Sequence, residues 1–277
     1  MDPQRRKPVK GRNPRRERAR LSRVEGRQAV LEMLRSGRPI DRLLVAEGRR
    51  GRTWEELLQA AEARQVPIEW VAPDDLNRLS QTGRHQGVIA EGPAPAPWSL
   101  GELLQTLAPR EEALLLACDQ VQDPHNLGAL IRSADAAGAD GVVVPARRSA
   151  TVTPAVERVA AGATSYLPWV EVVNLARALV QLQEAGFWVM GLDPAGARNL
   201  WEVELPPRLV VVVGSEGAGL RPLVRQRCDE LIRIPMRGHV SSLNVSVAGA
   251  LCLFEVLRRR ILAEEAEGTS PPARGGA

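Results

Sequence analysis

Residues 209–258 read LVVVVGSEGAGLRPLVRQRCDELIRIPMRGHVSSLNVSVAGALCLFEVLR. The apolar run 209–213 has the composition of a fully buried strand, and it ends in a glycine-rich turn, Gly214-Ser215-Glu216-Gly217-Ala218-Gly219. A helix over 220–228 leads to a short strand over 230–234, a polar turn with Ser241, Ser242 and Asn244, and a long apolar helix. Two loops, each following a strand, therefore face one another. In open α/β sheets, crevices at the carboxyl ends of strands bind ligands because loop backbone groups there are free to face a guest. Three glycines in six residues let a backbone approach a small molecule closely. Any one of them is equally explained by a turn that needs positive φ. The whole group, with Glu216 inside it, points to a functional site.

Upstream of this stretch the pattern alternates. Strands are expected over 113–118, 141–144, 167–172 and 187–192, with helices over 127–137, 154–162 and 175–185. Near-continuous apolar strands separated by helices argue an α/β fold with a mostly parallel sheet covered on both faces. A smaller alternating α/β unit precedes it. Helical spacing of Val30, Leu31 and Leu34 is followed by a strand over 41–47, a helix over 55–64 capped by Thr53, a strand over 66–71, a helix over 73–79 and a strand over 87–90. Between the units, GPAPAPWS cannot hold a helix or a central strand, because its prolines lack amide donors. The expected boundaries are a basic arm 1–23, a small unit 24–92, a linker 93–110, a large unit 111–262 and a disordered tail 263–277.

The chain has 277 residues, enough for two domains, and its net charge of +4 hides an asymmetry. Residues 1–23 hold ten Lys or Arg against two acids, a net of +8, which leaves −4 on the rest. A basic arm on a mildly acidic body suits a nucleic-acid partner, since Arg-rich segments release counterions from phosphates. Cys118, Cys228 and Cys252 lie in apolar surroundings without metal-ligand spacing and read as buried thiols in a reducing compartment. No stretch approaches the roughly 20 apolar residues that span a bilayer, and the basic amino terminus lacks an apolar h-region, so cytoplasm is the expected location.

The loop after the 113–118 strand, DQVQDPHNLG (119–128), carries Asn126, which is well placed to cap the following helix. Arg132 stands on a helix whose other residues are nearly all apolar. If buried, its charge requires an anion: Asp135, Glu216 or a phosphate of a substrate. His125 reads as a turn residue. Phosphate-loop, nucleophile-elbow and dinucleotide-fingerprint patterns are absent; Gly214, Gly217 and Gly219 have the spacing G-x-x-G-x-G.

DPHNLGALIRSADAAGADGVVVP (123–145), VVGSEGAGLRPLVRQRCDELIRIPM (212–236) and SSLNVSVAGALCLFEVLRR (241–259) together resemble, in order, the three motifs of the SpoU (TrmH-type) RNA ribose 2′-O-methyltransferases of the SPOUT superfamily. VEGRQAVLEML and RHQGVIA in the front unit are similar to the subgroup that acts on a guanosine of 23S ribosomal RNA, whose small domain is an L30-like RNA binder. The resemblance implies a deep trefoil knot, S-adenosyl-L-methionine as methyl donor, RNA as partner and a homodimer. It assigns Gly214, Ile234, Met236 and Leu243 to the donor. Asn126, Arg132, Ser242 and Asn244 fall to the reaction, with Glu216 orienting the loops or the substrate. No metal is implied. Since a guanidinium does not deprotonate near neutrality, Arg132 is expected to clamp phosphate while the 2′-hydroxyl proton passes to a phosphate oxygen or water. The homodimer is also expected from the helix over 245–254, which is apolar all round. The alternatives within this resemblance are a tRNA 2′-O-methyltransferase and a non-catalytic RNA-binding protein on the same fold.

Overall fold

The computed structural model describes residues 21–49, 51–93 and 96–266. Residues 1–20 of the basic arm and 267–277 of the tail lie outside the described residues. The front unit runs β1 (Leu21–Glu25), α1 (Arg27–Arg35), β2 (Arg42–Ala46), α2 (Arg52–Ala63), β3 (Ile68–Val71), α3 (Pro73–Leu79) and β4 (Val88–Pro93). Its sheet has the order β1-β4-β2-β3, antiparallel except for the β2–β3 pair. Val30, Met33, Leu34, Leu43, Val45, Leu57 and Val88 form its core.

Two expectations change here. The segment 21–23 is not part of an arm, because β1 pairs along its length with residues 89–93 of β4. The carboxylate of Glu91, 2% exposed, accepts from Arg23 Nε and Arg42 Nε at 2.8 Å each, so a basic residue read as arm is part of the sheet. Burial pushes the Glu91 carboxyl up, but the two guanidiniums outweigh it and hold the group below the usual carboxylate range. Helix α2 starts at Arg52 with Gly51 as its N-cap, so Thr53 lies inside the first turn instead of capping it.

The proline-rich connection is shorter than the expected 93–110 linker. Helix α4 (Leu100–Leu107) begins with a capping box, in which Ser99 Oγ accepts from Glu102 N at 3.2 Å and Glu102 Oε2 accepts from Ser99 N at 2.8 Å. Leu103 and Leu107 of α4 are buried against the large sheet.

The large unit continues with β5 (Ala113–Cys118), α5 (Pro124–Ala136), β6 (Gly141–Pro145), α6 (Pro154–Ala160), β7 (Trp169–Val172), α7 (Leu175–Glu184), β8 (Trp188–Leu192), β9 (Arg198–Asn199), β10 (Arg208–Val213), α8 (Pro222–Arg227), β11 (Glu230–Arg233) and α9 (Val245–Ala266). The sheet order is β7-β6-β5-β10-β8-β11-β9, and every ladder is parallel. Side chains of one strand alternate between two cores. Leu114, Leu116, Val211 and Val213 face the core under α5 and α9, whereas Leu115, Val210 and Val212 face the core that includes Leu103, Leu179 and Val224. Each such fully buried aliphatic side chain contributes about 1.5–3 kcal/mol. Strands β5 and β10 sit side by side in mid-sheet while their neighbours run outward in opposite directions, a topological switch point.

Helix α9 runs to Ala266, so the tail begins later than residue 263; Ala-Glu-Glu-Ala are good helix formers. Its 245–254 stretch is apolar on the outside as well as the inside: Val245, Cys252 and Leu253 are buried while Val247, Leu251 and Phe254 are exposed, as is Leu262 further along, and Glu255, 6% exposed, is held by Arg258 and Arg259. Among the described residues no helix is long and apolar enough to cross a membrane. The two units meet where Arg38 Nη1 donates to Glu157 Oε1 at 3.1 Å, both side chains 8% exposed, and where Tyr166 Oη donates to Glu32 at 2.9 Å.

Candidate active site

The loop after β10 closes on itself. Ser215 and Gly219 exchange backbone hydrogen bonds of 3.1 and 3.0 Å. A Cβ on Gly214 would stand 2.2 Å from the carbonyl carbon of Gly219, and Gly217 and Gly219 have φ of 79° and 67°. The three glycines thus serve the loop's own geometry first, which leaves Glu216 presented to solvent at its turn. Asp119, fully buried at the end of β5, ties this loop to its neighbour. Its carboxylate accepts from Arg221 N at 2.8 Å and Arg221 Nε at 2.7 Å, and its own N–H donates to Val213 O at 2.7 Å. Asp119 was not singled out from the sequence. The available signal was an acid directly after the apolar run ALLLAC, where only a paired charge can be buried.

Asn126 does not cap α5. Asp123 does so, its Oδ1 accepting from His125 N at 2.9 Å, and Asn126 falls within the first turn, where its Nδ2 makes a long hydrogen bond of 3.4 Å to Asp123 Oδ2. Asn126 Nδ2 donates to Glu216 Oε1 at 2.6 Å, Asn244 Nδ2 donates to the same oxygen at 2.7 Å, and Asn244 Nδ2 also approaches Asn126 Oδ1 at 3.1 Å. Three segments separated by up to 118 residues are joined through one carboxylate oxygen. Asn244 has a second task. Its Oδ1 accepts from Ser246 N at 2.9 Å and Ser246 Oγ at 2.6 Å, at the start of α9.

Beside this cluster lies a cavity of about 150 Å³, or about 780 Å³ with its open mouth, between the loops after β8, β10 and β11. Buried Val213, Ile232 and Val245, with half-buried Leu192, Ile234, Leu243 and Ala248, form its apolar wall. Ser215, Glu216, Ser241, Ser242 and Asp193 supply polar groups. Gly214, Ile234, Met236 and Leu243 all line it. Ser242 lines it too, exposed and outside the Asn126–Glu216–Asn244 cluster. An apolar wall with a few polar groups suits an amphiphilic molecule such as an adenosine derivative.

Arg132 differs from expectation. It is exposed, not buried, and Glu216 is engaged by the two asparagines instead of by the guanidinium. The Arg132 side chain is therefore solvated and open to an incoming anion. The cysteines are inert: burial pushes the thiols of Cys118, Cys228 and Cys252 up to about 12, although Cys228 is only half-buried.

The SpoU rRNA Methylase family matches residues 113–254, and the RNA 2′-O ribose methyltransferase substrate binding family matches residues 23–98. The chain is 43% identical over 246 residues to the 23S rRNA (guanosine-2′-O-)-methyltransferase RlmB of Pseudomonas putida, covering 87% of this chain and 98% of that protein. Among solved structures it is similar to the SpoU methyltransferase AviRb of Streptomyces viridochromogenes in complex with AdoMet, at a TM-score of 0.74 and 28% identity over 91% of this chain and 94% of that one. A TrmH/SpoU tRNA modifying enzyme of A. aeolicus is similar at a TM-score of 0.52 and 30% identity, over 64% of this chain and 88% of its own. With motif-bearing loops, an all-parallel sheet and matches that extend over most of its length, the chain belongs to the SpoU rRNA methylase family.

Proposed function

We propose that the protein transfers a methyl group from S-adenosyl-L-methionine to the ribose 2′-hydroxyl of a guanosine in 23S ribosomal RNA, in the cytoplasm. The observation that carries this reading is the hydrogen-bonded Asn126–Glu216–Asn244 cluster at the mouth of an apolar pocket. Gly214, Ile234, Met236 and Leu243 would hold the donor, chiefly through backbone groups. When bound, the donor supplies a methyl group on a sulfonium. Around it, Asn126 and Asn244 present amide groups that orient the ribose, and Ser242 stands within the same cavity wall. Arg132 clamps a phosphate and stabilises the developing alkoxide, while the 2′-hydroxyl proton leaves to a phosphate oxygen or water. The reacting atoms must be held about 3–3.5 Å apart, which a cluster pinned from three segments favours.

The same reading gives the rest of the organisation. The 209–258 stretch threads a deep trefoil knot, as in the family. Residues 24–92 present the RNA, and the large unit carries out the transfer. Two chains associate through α9, whose exposed Val247, Leu251, Phe254 and Leu262 form an apolar stripe. The basic arm adds phosphate contacts. The second reading, tRNA methylation, is less favoured, since the tRNA-modifying relative aligns with 64% of this chain and the rRNA-modifying one with 87%.

The test is methylation of an unmodified 23S rRNA transcript with isotopically labelled donor, followed by mapping of the modified nucleotide. A transcript with a 2′-deoxy nucleotide at the mapped position should bind and accept no methyl. Label on a base in that RNA would refute ribose as the acceptor.

A further inference from the structure

The pocket and the Asn126–Glu216–Asn244 cluster occupy different positions along one edge of the large sheet. Because strand order is β6-β5-β10-β8-β11 and neighbouring strands lie about 4.8 Å apart, the loops at their carboxyl ends form a row. The cavity takes the loops after β8, β10 and β11, and the cluster reaches from there to β5, since Asn126 after β5 joins Glu216 after β10 and Asn244 after β11. The remaining neighbour on this edge is the loop after β6, residues 146–150. If the donor fills one side of the cluster, the acceptor must approach from the other, over β5 and β6.

That loop is built to present charge. Ala146 N donates to Val172 O at 2.9 Å, Ala150 N donates to Val121 O at 2.8 Å, and Ser149 Oγ donates to the same carbonyl at 3.0 Å. Between these fixed points stand Arg147 and Arg148, both exposed and neither in an ion pair or hydrogen bond among the described residues. Arg148 has φ of 59°, a left-handed conformation that costs a residue with a Cβ about 1–2 kcal/mol. Val121, which anchors the loop, lies in the connection that delivers Asn126. A strained, doubly anchored turn that holds two unpaired guanidiniums next to a reaction centre has a natural counterpart in consecutive phosphates.

We propose that Arg147 and Arg148 form the acceptor-side phosphate grip, seating the RNA backbone flanking the target nucleotide so that its ribose reaches the cluster. This rests on RNA being the substrate. The two residues are positioning residues, distinct from Arg132, and act on RNA affinity instead of on the transferred methyl.

The experiment compares the full-length protein with the double variant Arg147→Ser/Arg148→Gly, in which glycine preserves the left-handed turn. An unmodified 23S rRNA transcript serves as probe. Loss of two contacts to single-stranded RNA should lower the log–log salt slope of binding by about 1.4 and raise the KM for RNA about tenfold. The kcat at saturating RNA and the donor Kd should stay within twofold. The pair Arg147→Lys/Arg148→Lys should restore the salt slope and only part of the affinity, because lysine keeps charge without a bidentate fork. Unchanged slope and KM in the Ser/Gly variant overturn the proposal. So does a loss that appears in donor Kd or kcat, since the loop would then act through the fold of the site. Binding is measured without turnover, so a base-methylated wild-type product would refute ribose as acceptor while leaving the salt-slope result decisive for the grip.

Discussion

Replacing Glu216 by alanine removes the acceptor that joins Asn126 and Asn244, and its cost follows from the geometry. One carboxylate oxygen accepts at 2.6 and 2.7 Å from two amides, of which Asn126 is 8% exposed. Hydrogen bonds to a charged acceptor contribute about 1.5–3 kcal/mol each when buried. Glu216 is exposed, so solvent screening reduces the pair to about 1–2 kcal/mol in all. For a chain of this size that corresponds to a drop in Tm of roughly 2–8 °C. The catalytic effect should be larger, since two amides lose their common anchor: kcat is expected to fall by about 10- to 100-fold. Donor Kd should hold within a few fold, because the apolar wall of the pocket does not depend on Glu216. Glu216→Gln keeps an acceptor oxygen and should recover most of the stability and at least part of kcat. Thermal unfolding, single-turnover methylation and donor titration read the three quantities separately. Full stability and full kcat in Glu216→Ala would refute the reasoning, because the cluster would then be an incidental contact.

Arg132→Ala should lower kcat by about 10²- to 10³-fold with donor affinity within a few fold, and Arg132→Lys should rescue little, as single-turnover rates will tell. Leu251→Asp with Phe254→Asp should place charges on the exposed stripe of α9 and turn a two-chain species into a single chain in sedimentation at micromolar concentration; wild type sedimenting as one chain removes the dimer. The hydrogen bond from Arg258, followed by that from Arg259, holds the Glu255 carboxyl at about 2, against an ordinary 4.5. A carboxyl lowered by folding stabilises the fold fully above its unfolded value, so this contribution should be lost as pH falls from about 4.5 towards 2. Denaturant unfolding of wild type and Glu255→Gln should therefore converge at low pH, and a constant gap between them would contradict the assignment.

The parts of the fold legible in the sequence were those written in local composition. Runs such as ALLLAC and LVVVV are apolar at every position because both faces of a parallel strand are covered, and both are strands in the structure. What escaped was set by distant partners. Strand β1 contains Arg23 and Glu25 and follows a basic arm, so nothing local marks it. Its place depends on pairing with β4 and on Glu91, 68 residues away. Helix α4 was missed inside the 93–110 linker: the Ser99–Glu102 capping-box spacing was present, but the prolines before it drew the linker too long. At the site, the resemblance brought Asn126, Glu216 and Asn244 forward, whereas their common hydrogen-bond centre emerged only from the structure. Sequence reasoning gave Asn126 the cap because asparagine suits it; Asp123, three residues earlier, fills that role, and Asn126 Nδ2 makes its shorter bond to Glu216. Arg132 was expected to be buried because its neighbours are apolar, yet an exposed position on a helix needs no partner.

Asn244 both seats the first turn of α9 and completes the cluster with Asn126 and Glu216. The timing of synthesis follows from that double use. As the chain leaves the ribosome, the loops bearing Asn126 and Glu216 emerge first and wait for a residue that is useful only once the last helix has begun to wind. A nascent or truncated chain ending before α9 would keep the Asn126–Glu216 hydrogen bond but lack the Val245 and Ala248 part of the pocket wall and the helix that Asn244 seats. Competence is thus tied to completion of the polypeptide, so that fragments made beside newly transcribed ribosomal RNA have no assembled centre with which to modify it.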